Sequence, residues 1–310
     1  MKNKLLVVGT VAFDDIETPS GESGKILGGA ATYIGLAASQ LSVDAALVSV
    51  VGGDFPDDYL SLLRERNLNL EGLKVEPSGK TFYWKGKYHK NLNKRDTLVT
   101  ELNVLADFSP EVPSDYKDAE IVLLGNLHPA VQLSVLDQLG TSPKTVVLDT
   151  MNFWMDHTWD DLLLAVAQTD IITINDEEAL QLSGENSLVA AAKKIHSMGP
   201  SYVVIKKGEH GALMFHKDTI FFAPALPIAS VVDPTGAGDS FAGGLAAYLS
   251  SGVKLTPESV KTGIIYGSAL ASFCVTDFGT SALLNLDKSA LKKRLSAFKA
   301  LVHFDENIDL

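Results

Sequence analysis

The sequence has little of what would place a protein in a membrane, on nucleic acid or outside the cell. Cys274 is the one cysteine among 310 residues, so no internal disulfide forms, as is typical of a reducing compartment. There is no basic run, and 26 basic against 38 acidic residues give a formal net charge of −12. Apolar runs are too short to span a bilayer, and that of the N-terminal segment is about five residues, against the roughly 7–15 of a secretory signal. We therefore expect a cytoplasmic protein whose main partner is neither nucleic acid nor a membrane.

Two common site patterns are also missing. Without a GxxxxGK[ST] sequence, a phosphate site here would not be a Walker-type P-loop, and no HExxH pattern points to zinc. The chain does have a hydrophobic fraction of 46%, carried by short apolar runs that alternate with helical patterns. The runs predict buried strands at residues 5–8, 45–51, 121–124, 145–148, 171–174 and 202–205. This alternation predicts a mostly parallel sheet covered by helices.

The most informative stretch is VVDPTGAGDSFAGGLAA, residues 231–247, which predicts a strand end, a glycine turn and a helix beginning near Asp239. Gly236 and Gly238 let a ligand approach the backbone, and the first amides of the helix favour an anion. A helix N-cap would explain Asp239 alone. It leaves the glycines and the small residues 242–244 unexplained, whereas a phosphate cradle beside a carboxylate base explains all of them.

The segment DPTGAGDSFAGG, residues 233–244, resembles the C-terminal signature of the ribokinase-like (PfkB) family of carbohydrate and nucleoside kinases. The resemblance implies a ribokinase-like three-layer α/β/α sandwich with a mostly parallel central sheet and a small β lid, in a single domain over residues 1–310. It implies ATP-dependent phosphorylation of a hydroxyl on a sugar or nucleoside. Asp239 would be the catalytic base, and the amides of Gly236, Ala237 and Gly238 would hold the charge on the transferred group.

The resemblance also indicates where the acceptor binds. An aspartate near the end of the first strand binds substrate hydroxyls in the family, and Asp14 fits that place, although Asp15 is adjacent. Gly28 and Gly29 would keep the sugar site open. A turn aspartate and a packing glycine pair explain the same residues without any ligand.

Polar residues follow several predicted strands, at the edge where open α/β sheets bind ligands. Asn126, Asp149 and Asn152 are therefore pocket candidates, with Asn126 on the substrate side. His128 is also near, but a lone histidine in a loop more often makes a structural hydrogen bond.

Asn175 and Glu178 match the family's N-x-x-E motif, which implies a Mg²⁺ site. Magnesium keeps several waters and needs few protein oxygens. A capping box, with Asn175 as N-cap and Glu178 three residues later, is the alternative, and both can hold at once.

Further segments resemble those that bind the nucleotide in the family. Lys206 would contact phosphate, Gly208 and Gly211 would allow close approach, and Ser268 would lie beside the adenine. A plain hairpin turn between strands 202–207 and 211–216 explains both glycines equally well. Near the nucleotide, Thr235 would join Asp233 and the loop 274–282 around a monovalent cation such as K⁺, although this loop departs from that of ribokinase.

Residues 80–105 interrupt the alternation of strands and helices with two strands of mixed polarity. The resemblance makes these, with residues 10–20, a lid over the sugar, and closing lids exclude water. Its aromatic residues would stack on the substrate, bury one lid face or form a homodimer contact. They are Phe82, Tyr83 and Trp84.

Two alternatives of other kinds remain open. One is a catalytically silent sugar- or nucleotide-binding regulator, because a fold does not fix an activity. The retention of Asp239, Asn175 and Glu178 argues against it. The other is a kinase for a vitamin-type heterocyclic alcohol, against which the lid-like insertion at 80–105 argues, because such relatives generally lack that lid.

Overall fold

Apolar segments that are buried on both faces form the central strands of the structure. The computed structural model describes residues 4–140 and 145–303. The strands are β1 (Lys4–Val8), β2 (Ala12–Thr18), β3 (Gly21–Gly28), β4 (Asp44–Gly52), β5 (Leu68–Asn69), β6 (Leu73–Glu76), β7 (Tyr83–Tyr88), β8 (Arg95–Glu101), β9 (Ile121–Leu124), β10 (Thr145–Asp149), β11 (Ile171–Asn175), β12 (Tyr202–Lys206), β13 (Ala212–His216) and β14 (Thr219–Ala223). The helices are α1 (Ala30–Ser39), α2 (Asp57–Glu65), α3 (Pro129–Asp137), α4 (Asn152–His157), α5 (Trp159–Ala167), α6 (Asp176–Ser183), α7 (Leu188–His196), α8 (Ala237–Leu249), α9 (Pro257–Cys274), α10 (Ser281–Leu284) and α11 (Lys288–Leu301).

The larger sheet has the strand order β14-β13-β12-β11-β10-β9-β1-β4-β5, and β6 also pairs with β4. Its neighbours are parallel except at β12–β13 and β13–β14, which are antiparallel. The predicted mostly parallel sheet is confirmed. Strands β10, β11 and β12 are adjacent, so their carboxyl ends meet at one edge.

Two hydrophobic cores lie on opposite faces of this sheet. Leu5 and Val7 of β1 point into one core with α1, α8 and α9, while Leu6 and Val8 point into the other with α5 and α7. The alternation of side chains along a strand produces this division, and it gives the three layers expected from the resemblance. Among the described helices, none combines the length and apolar character needed to cross a bilayer.

Helix α8 is packed tightly between α1 and α9. A Cβ at Gly243 would lie 2.6 Å from the Ile34 carbonyl oxygen, and one at Gly244 would lie 2.8 Å from the Gly267 Cα. These two glycines therefore serve helix packing. The assignment of residues 242–244 to a phosphate cradle was wrong, because they lie on the buried side of α8, past its first turn.

The smaller sheet has the order β3-β2-β7-β8. Its predicted extent, residues 10–20 and 80–105, covers β2, β7 and β8 but omits β3, whose sequence GESGKILG is mostly polar and exposed. Pairing of Asp14 with Trp84 and of Tyr88 with Arg95 puts these four side chains on one face, here called the inner face. The opposite, outer face carries ion pairs such as Lys87–Glu17 at 3.2 Å.

Candidate active site

The ends of three adjacent parallel strands bring polar side chains together. Asp149 ends β10, Asn175 ends β11 and Lys206 ends β12, with Asn175 and Lys206 in register. The Lys206 Nζ lies 2.7 Å from the Asp149 Oδ2, and these side chains are 16% and 7% exposed. Burial lowers the pKa of Lys206, but the Asp149 and Glu178 carboxylates outweigh it and the net shift is upward. Lys206 therefore stays charged at the sheet edge.

The turn before α8 is shaped by Gly236, which is the helix N-cap with φ 73°. A Cβ there would lie 2.3 Å from the Tyr33 ring, so the position admits only glycine without displacement. The helix begins at Ala237, two positions earlier than predicted. The Ala237 amide donates to the Pro234 carbonyl at 3.2 Å. The Gly238 amide, in the first turn, has no carbonyl one turn earlier in the helix to bond to.

Asp239 stands in the first turn of α8 and is largely enclosed by protein. Burial and the Asp149 carboxylate raise the pKa of Asp239 to about 6, against the opposing effects of Lys206 and Arg95. A carboxylate with a pKa of about 6 is ionised at neutral pH and basic enough to accept a hydroxyl proton.

Asp14 faces the same region from the inner face of the smaller sheet. It is 5% exposed, and its Oδ2 accepts a long hydrogen bond of 3.4 Å from the Gly29 amide. A Cβ at Gly28 would lie 2.0 Å from that oxygen, so glycine is required there. Burial above all, with the Asp233 and Asp239 carboxylates, raises the pKa of Asp14 to about 7.

Asp15 points to the opposite face, unlike its neighbour Asp14. It accepts from the Tyr83 hydroxyl at 3.0 Å and lies 3.5 Å from the Lys85 ammonium. Of the two aspartates, Asp14 is therefore the one directed toward Asp239.

Asn175 and Glu178 form the capping box of α6, with Asn175 N donating to Glu178 at 2.8 Å and Glu178 N donating to Asn175 at 2.7 Å. This confirms the capping alternative without removing the other role, because each side chain keeps an oxygen lone pair. Burial raises the pKa of Glu178 to about 7. Within residues 4–140 and 145–303 no three acidic, histidine or cysteine side chains form a metal cluster. The pair nevertheless fits Mg²⁺ bound mostly through waters.

A cavity of about 930 Å³ opens beside these groups. Its lining contains four of the five residues assigned to the nucleotide, together with two from the α8 turn. They are Lys206, Gly208, Gly211, Ser268, Ala237 and Gly238. Apolar residues also line the cavity, including Leu226, Ile228 and Val275. A lining that combines an ammonium and backbone groups with apolar side chains suits a nucleotide with phosphates and a planar base.

Thr235, the fifth residue assigned to the nucleotide, does not line this cavity. Its hydroxyl donates to the Tyr88 hydroxyl at 3.1 Å, and its amide donates to Asp233 at 2.8 Å. The other Asp233 oxygen accepts from the Gly279 amide at 2.9 Å, which joins the loop 274–282 to the turn before α8.

The hairpin alternative for Gly208 and Gly211 is also realised, because β12 and β13 pair antiparallel around a short 3₁₀ turn. Both glycines still line the cavity. Their hairpin geometry and their place beside the cavity are compatible.

Asn126 uses both ends of its amide within the protein. Its Oδ1 accepts from the Trp154 Nε1 at 2.8 Å, and its Nδ2 lies 3.1 Å from the Met151 sulfur. His128 caps α3, with its Nδ1 accepting from the Ala130 amide at 3.1 Å, as the structural interpretation of that histidine expects. Substrate binding by Asn126 stays a prediction.

Sequence reasoning predicted a lid from the smaller sheet but missed two of its contributions to this site, those of Arg95 and of the turn 90–93. Burial lowers the pKa of Arg95, at the start of β8, but the Tyr88 hydroxyl and then the Glu178 and Asp239 carboxylates outweigh it, and the net shift is upward. The turn 90–93 of the same hairpin lines the nucleotide-sized cavity. The signal available was a lone arginine in the predicted lid, and only the pairing of β8 with β7 shows where it points.

An ammonium, a basic carboxylate and helix amides around a nucleotide-sized cavity define a class of protein, the α/β phosphotransferases that act on an alcohol group. A family model described as pfkB family carbohydrate kinase matches residues 2–287. The chain belongs to the pfkB family of carbohydrate kinases, whose ribokinase-like members use ATP. It is thus a nucleoside or carbohydrate kinase, as the resemblance implied.

Two relatives with named activities are similar to this chain over most of its length. The chain is 33% identical over 266 residues to a cytidine kinase of Thermococcus kodakarensis, covering 84% of this chain and 93% of that protein. It is 28% identical to a nucleoside kinase of Methanothermobacter thermautotrophicus, covering 93% and 94%. Among solved structures, a Methanocaldococcus jannaschii nucleoside kinase superposes with a TM-score of 0.76 at 22% identity, covering 96% and 99%. A putative ribokinase II from E. coli, in complex with ATP and Mg²⁺, gives 0.77 at 19%, covering 96% and 99%.

Proposed function

We propose that this protein is an ATP-dependent nucleoside kinase that phosphorylates a primary hydroxyl of the ribose. The observation that carries the proposal is Asp239, a carboxylate with a pKa of about 6 at the N-terminus of α8, beside a nucleotide-sized cavity. The likeness to the cytidine kinase favours a nucleoside over a free sugar. A kinase for a free sugar is the second candidate. The buried Asp14 carboxylate supports it equally, because a free sugar and the ribose of a nucleoside both offer hydroxyls that a carboxylate can bind.

In the proposed reaction, Asp239 accepts the proton of the acceptor hydroxyl. The hydroxyl oxygen forms a bond to the γ-phosphorus of ATP while the bond to the β,γ-bridging oxygen breaks, and ADP leaves with that electron pair. Asp14 orients the acceptor from the opposite side. Such transfers depend mainly on positioning and charge stabilisation, so the groups around the phosphoryl group matter as much as the base.

The Gly238 amide, the Lys206 ammonium and Mg²⁺ would stabilise the negative charge on the transferred phosphoryl group. The Gly238 amide stands at the positive end of α8, with Gly236 and Ala237 forming the turn below it, and Lys206 approaches from the end of β12. Asn175 and Glu178 would hold Mg²⁺ through its waters, and the ion would neutralise charge on the β- and γ-phosphates. These roles agree with the capping box, which leaves both side chains fixed in place.

A panel of acceptors tests the substrate class. Purified protein is incubated with ATP and each of cytidine, uridine, adenosine, inosine, ribose, fructose and inositol, and ADP release is measured against a control without acceptor. We expect nucleosides to give the highest kcat/KM. Preference for a free sugar would replace the nucleoside assignment, and no turnover with any acceptor would favour the silent regulator.

We further propose a cytoplasmic homodimer of single-domain chains that contacts through the smaller sheet. Its edge strand β8 is exposed along its length, with Leu98 46% and Val99 36% accessible to solvent. Sedimentation of the wild type and of Leu98→Asp measures the oligomeric state, and a monomeric wild type would contradict the proposed dimer.

We also propose that a monovalent cation binds near Asp233 and Thr235. Comparing the activity in K⁺ salts with that in Na⁺ salts tests this site.

A further inference from the structure

The turn that joins β7 to β8, residues 90–93, borders the cavity that the proposed function gives to the nucleotide. All four of its residues line that cavity, together with Gly208 and Gly211 of the β12–β13 turn. The reaction described above does not use this turn. The smaller sheet also carries Asp14, on the acceptor side, so it borders both of the proposed ligand sites.

Contacts at both ends hold the β7–β8 hairpin in this position. At its base, the buried Tyr88 hydroxyl accepts from the Thr235 hydroxyl at 3.1 Å, directly before the N-cap of α8. At its tip, the Asn93 Oδ1 would lie 3.0 Å from a Cβ at Gly208, so the asparagine stands against the β12–β13 turn. The base of the hairpin is therefore beside the turn where the phosphates are expected, and its tip reaches the wall that Gly208 forms.

The turn has a defined shape of its own. The His89 amide donates to the Lys94 carbonyl at 3.0 Å, and the Lys94 amide donates to the Asn91 carbonyl at 2.9 Å. The Asn91 side chain accepts from the Asn93 amide at 3.0 Å, as in an Asx turn. The Lys90 side chain takes no part in these bonds. Because the turn is ordered by its own backbone, a ligand that meets it loses little affinity to the ordering of a loop.

Lys90 is an unpaired cation on the wall of this cavity. Within the part of the chain that the structure describes, no carboxylate lies within 4.0 Å of its ammonium, and the side chain is exposed. Lys206, the other lysine among the described lining residues, lies 2.7 Å from Asp149. The Glu178 and Asp239 carboxylates also act on Lys206. Carboxylates thus outnumber ammonium groups around Lys206, and a polyphosphate bound there would gain from a further cation.

We propose that the turn 90–93 is part of the nucleotide site and that the Lys90 ammonium contacts the polyphosphate chain of the nucleotide. The inference rests on the proposed function, which places ATP in this cavity. A lysine suits the role because its ammonium is a point charge on a flexible stem, and charge-assisted contacts to phosphate are strong. Nucleotide affinity then depends on the smaller sheet as well as on the larger one. The dependence grows with the number of phosphates, since each adds negative charge near Lys90.

The test is nucleotide binding without an acceptor, so a wrong nucleoside assignment leaves it intact. Calorimetry at low salt and fixed Mg²⁺ measures the affinities of AMP, ADP and a non-hydrolysable ATP analogue for wild type, Lys90→Gln and Lys94→Gln. Lys94→Gln is the matched control, because it removes a cation from the same hairpin that does not line the cavity. We expect Lys90→Gln to bind the ATP analogue about five- to tenfold more weakly, ADP by a smaller factor, and AMP within about twofold of wild type. Lys94→Gln stays within about twofold for all three.

Hydrogen–deuterium exchange gives a second readout that needs no substitution. The ATP analogue is expected to slow amide exchange in peptides that contain residues 88–95 of the wild type by at least about threefold. Peptides from α2, which packs by β5 at the far edge of the larger sheet, should stay unchanged.

The opposite results would overturn the inference. Equal affinities of Lys90→Gln and wild type for all three nucleotides would remove the phosphate contact. An equal loss for AMP and for the ATP analogue would make Lys90 a support of the cavity wall. Unchanged exchange at residues 88–95 would remove the turn from the site. A wild type that binds none of the nucleotides would overturn the proposed function together with this inference, whereas wild-type binding that Lys90→Gln leaves intact would overturn this inference alone.

Discussion

The ammonium of Lys206 lies 2.7 Å from the carboxylate of Asp149, across the intervening strand β11. The pair fixes a long side chain at the mouth of the cavity, and the Asp149 charge keeps the lysine protonated despite burial. A lysine fixed this way meets a phosphate with little further loss of rotamer freedom. Asp149 also helps to raise the pKa of Asp239, so the same carboxylate affects both the phosphate contact and the base.

Removal of this ammonium should weaken the use of ATP. We expect Lys206→Ala to lower kcat/KM for ATP by about 10–10²-fold, because one charge-assisted contact to phosphate is lost. Initial rates over a range of ATP concentrations measure the effect. Lys207→Ala, which removes the adjacent ammonium that does not line the cavity, is the control. Equal behaviour of the two variants would contradict a phosphate contact at Lys206.

Loss of the base should slow the chemical step. Asp239→Asn keeps the shape of the side chain but not its ability to accept a proton, so we expect kcat to fall by about 10²–10⁴-fold. ATP binding, measured by calorimetry, should be retained within about threefold. Near-normal turnover in this variant would remove Asp239 from the role of base.

The raised carboxyl pKa values predict an acid limb in the rate profile. Asp239 must be ionised to accept a proton, and its pKa is about 6, so activity is lost as the pH falls through that value. Asp14 and Glu178, each with a pKa of about 7, extend the limb upward in the free enzyme. We expect log kcat/KM to fall between pH about 7 and 5. A flat profile down to pH about 5 would mean that none of these groups limits the reaction.

Stability should change with pH in the opposite sense. The folded-state pKa of Asp239, about 6, is raised above its ordinary value of 3.8, so folding favours the protonated form. The stabilisation is complete below the ordinary value and is lost as the pH rises through about 6. Asp239→Asn, which stays neutral, should therefore be more stable than wild type at pH 8 by on the order of 1–2 kcal/mol. Thermal unfolding at pH 5 and pH 8 measures the difference, which should be smaller at pH 5 and should vanish only below the ordinary pKa of 3.8.

The two glycines at the start of α8, Gly236 and Gly238, should respond differently to replacement by alanine. A Cβ at Gly236 would press on the Tyr33 ring at 2.3 Å in a φ 73° backbone, so Gly236→Ala should lower stability by about 2 kcal/mol or more. A Cβ at Gly238 would meet only the terminal atoms of the Lys206 side chain, with the Nζ at 3.2 Å. Gly238→Ala should therefore keep the melting temperature and lower kcat. The reverse pattern would show that the Gly238 amide does not face the reacting group.

The sequence predicted the parallel sheet because buried parallel strands are apolar on both faces, and each such run became a strand. It did not predict β3, whose polar sequence resembles a loop until it pairs with β2. It also missed β14, an edge strand that alternates exposed Ile220 and Phe222 with less exposed residues. Edge strands carry a weaker pattern because only one neighbour and one face constrain them.

The site residues divide in a similar way. Asp239, Lys206, Asn175 and Glu178 were predictable because local patterns, a glycine turn and strand ends followed by polar residues, mark them. The role of Gly243 in helix packing was not predictable, because a small residue in a helix gives the same sequence pattern whether it faces a ligand or another helix.

By itself the sequence determined the fold class, the family and the residues that stand where strands end and helix α8 begins, because these depend on local periodicity and on a contiguous motif. Only the tertiary structure decided which of Asp14 and Asp15 turns toward Asp239, that Lys206 is held by Asp149, and that Tyr88 of a distant hairpin bonds to Thr235 beside α8. These relationships join segments far apart in the chain, and strand pairing and register fix them.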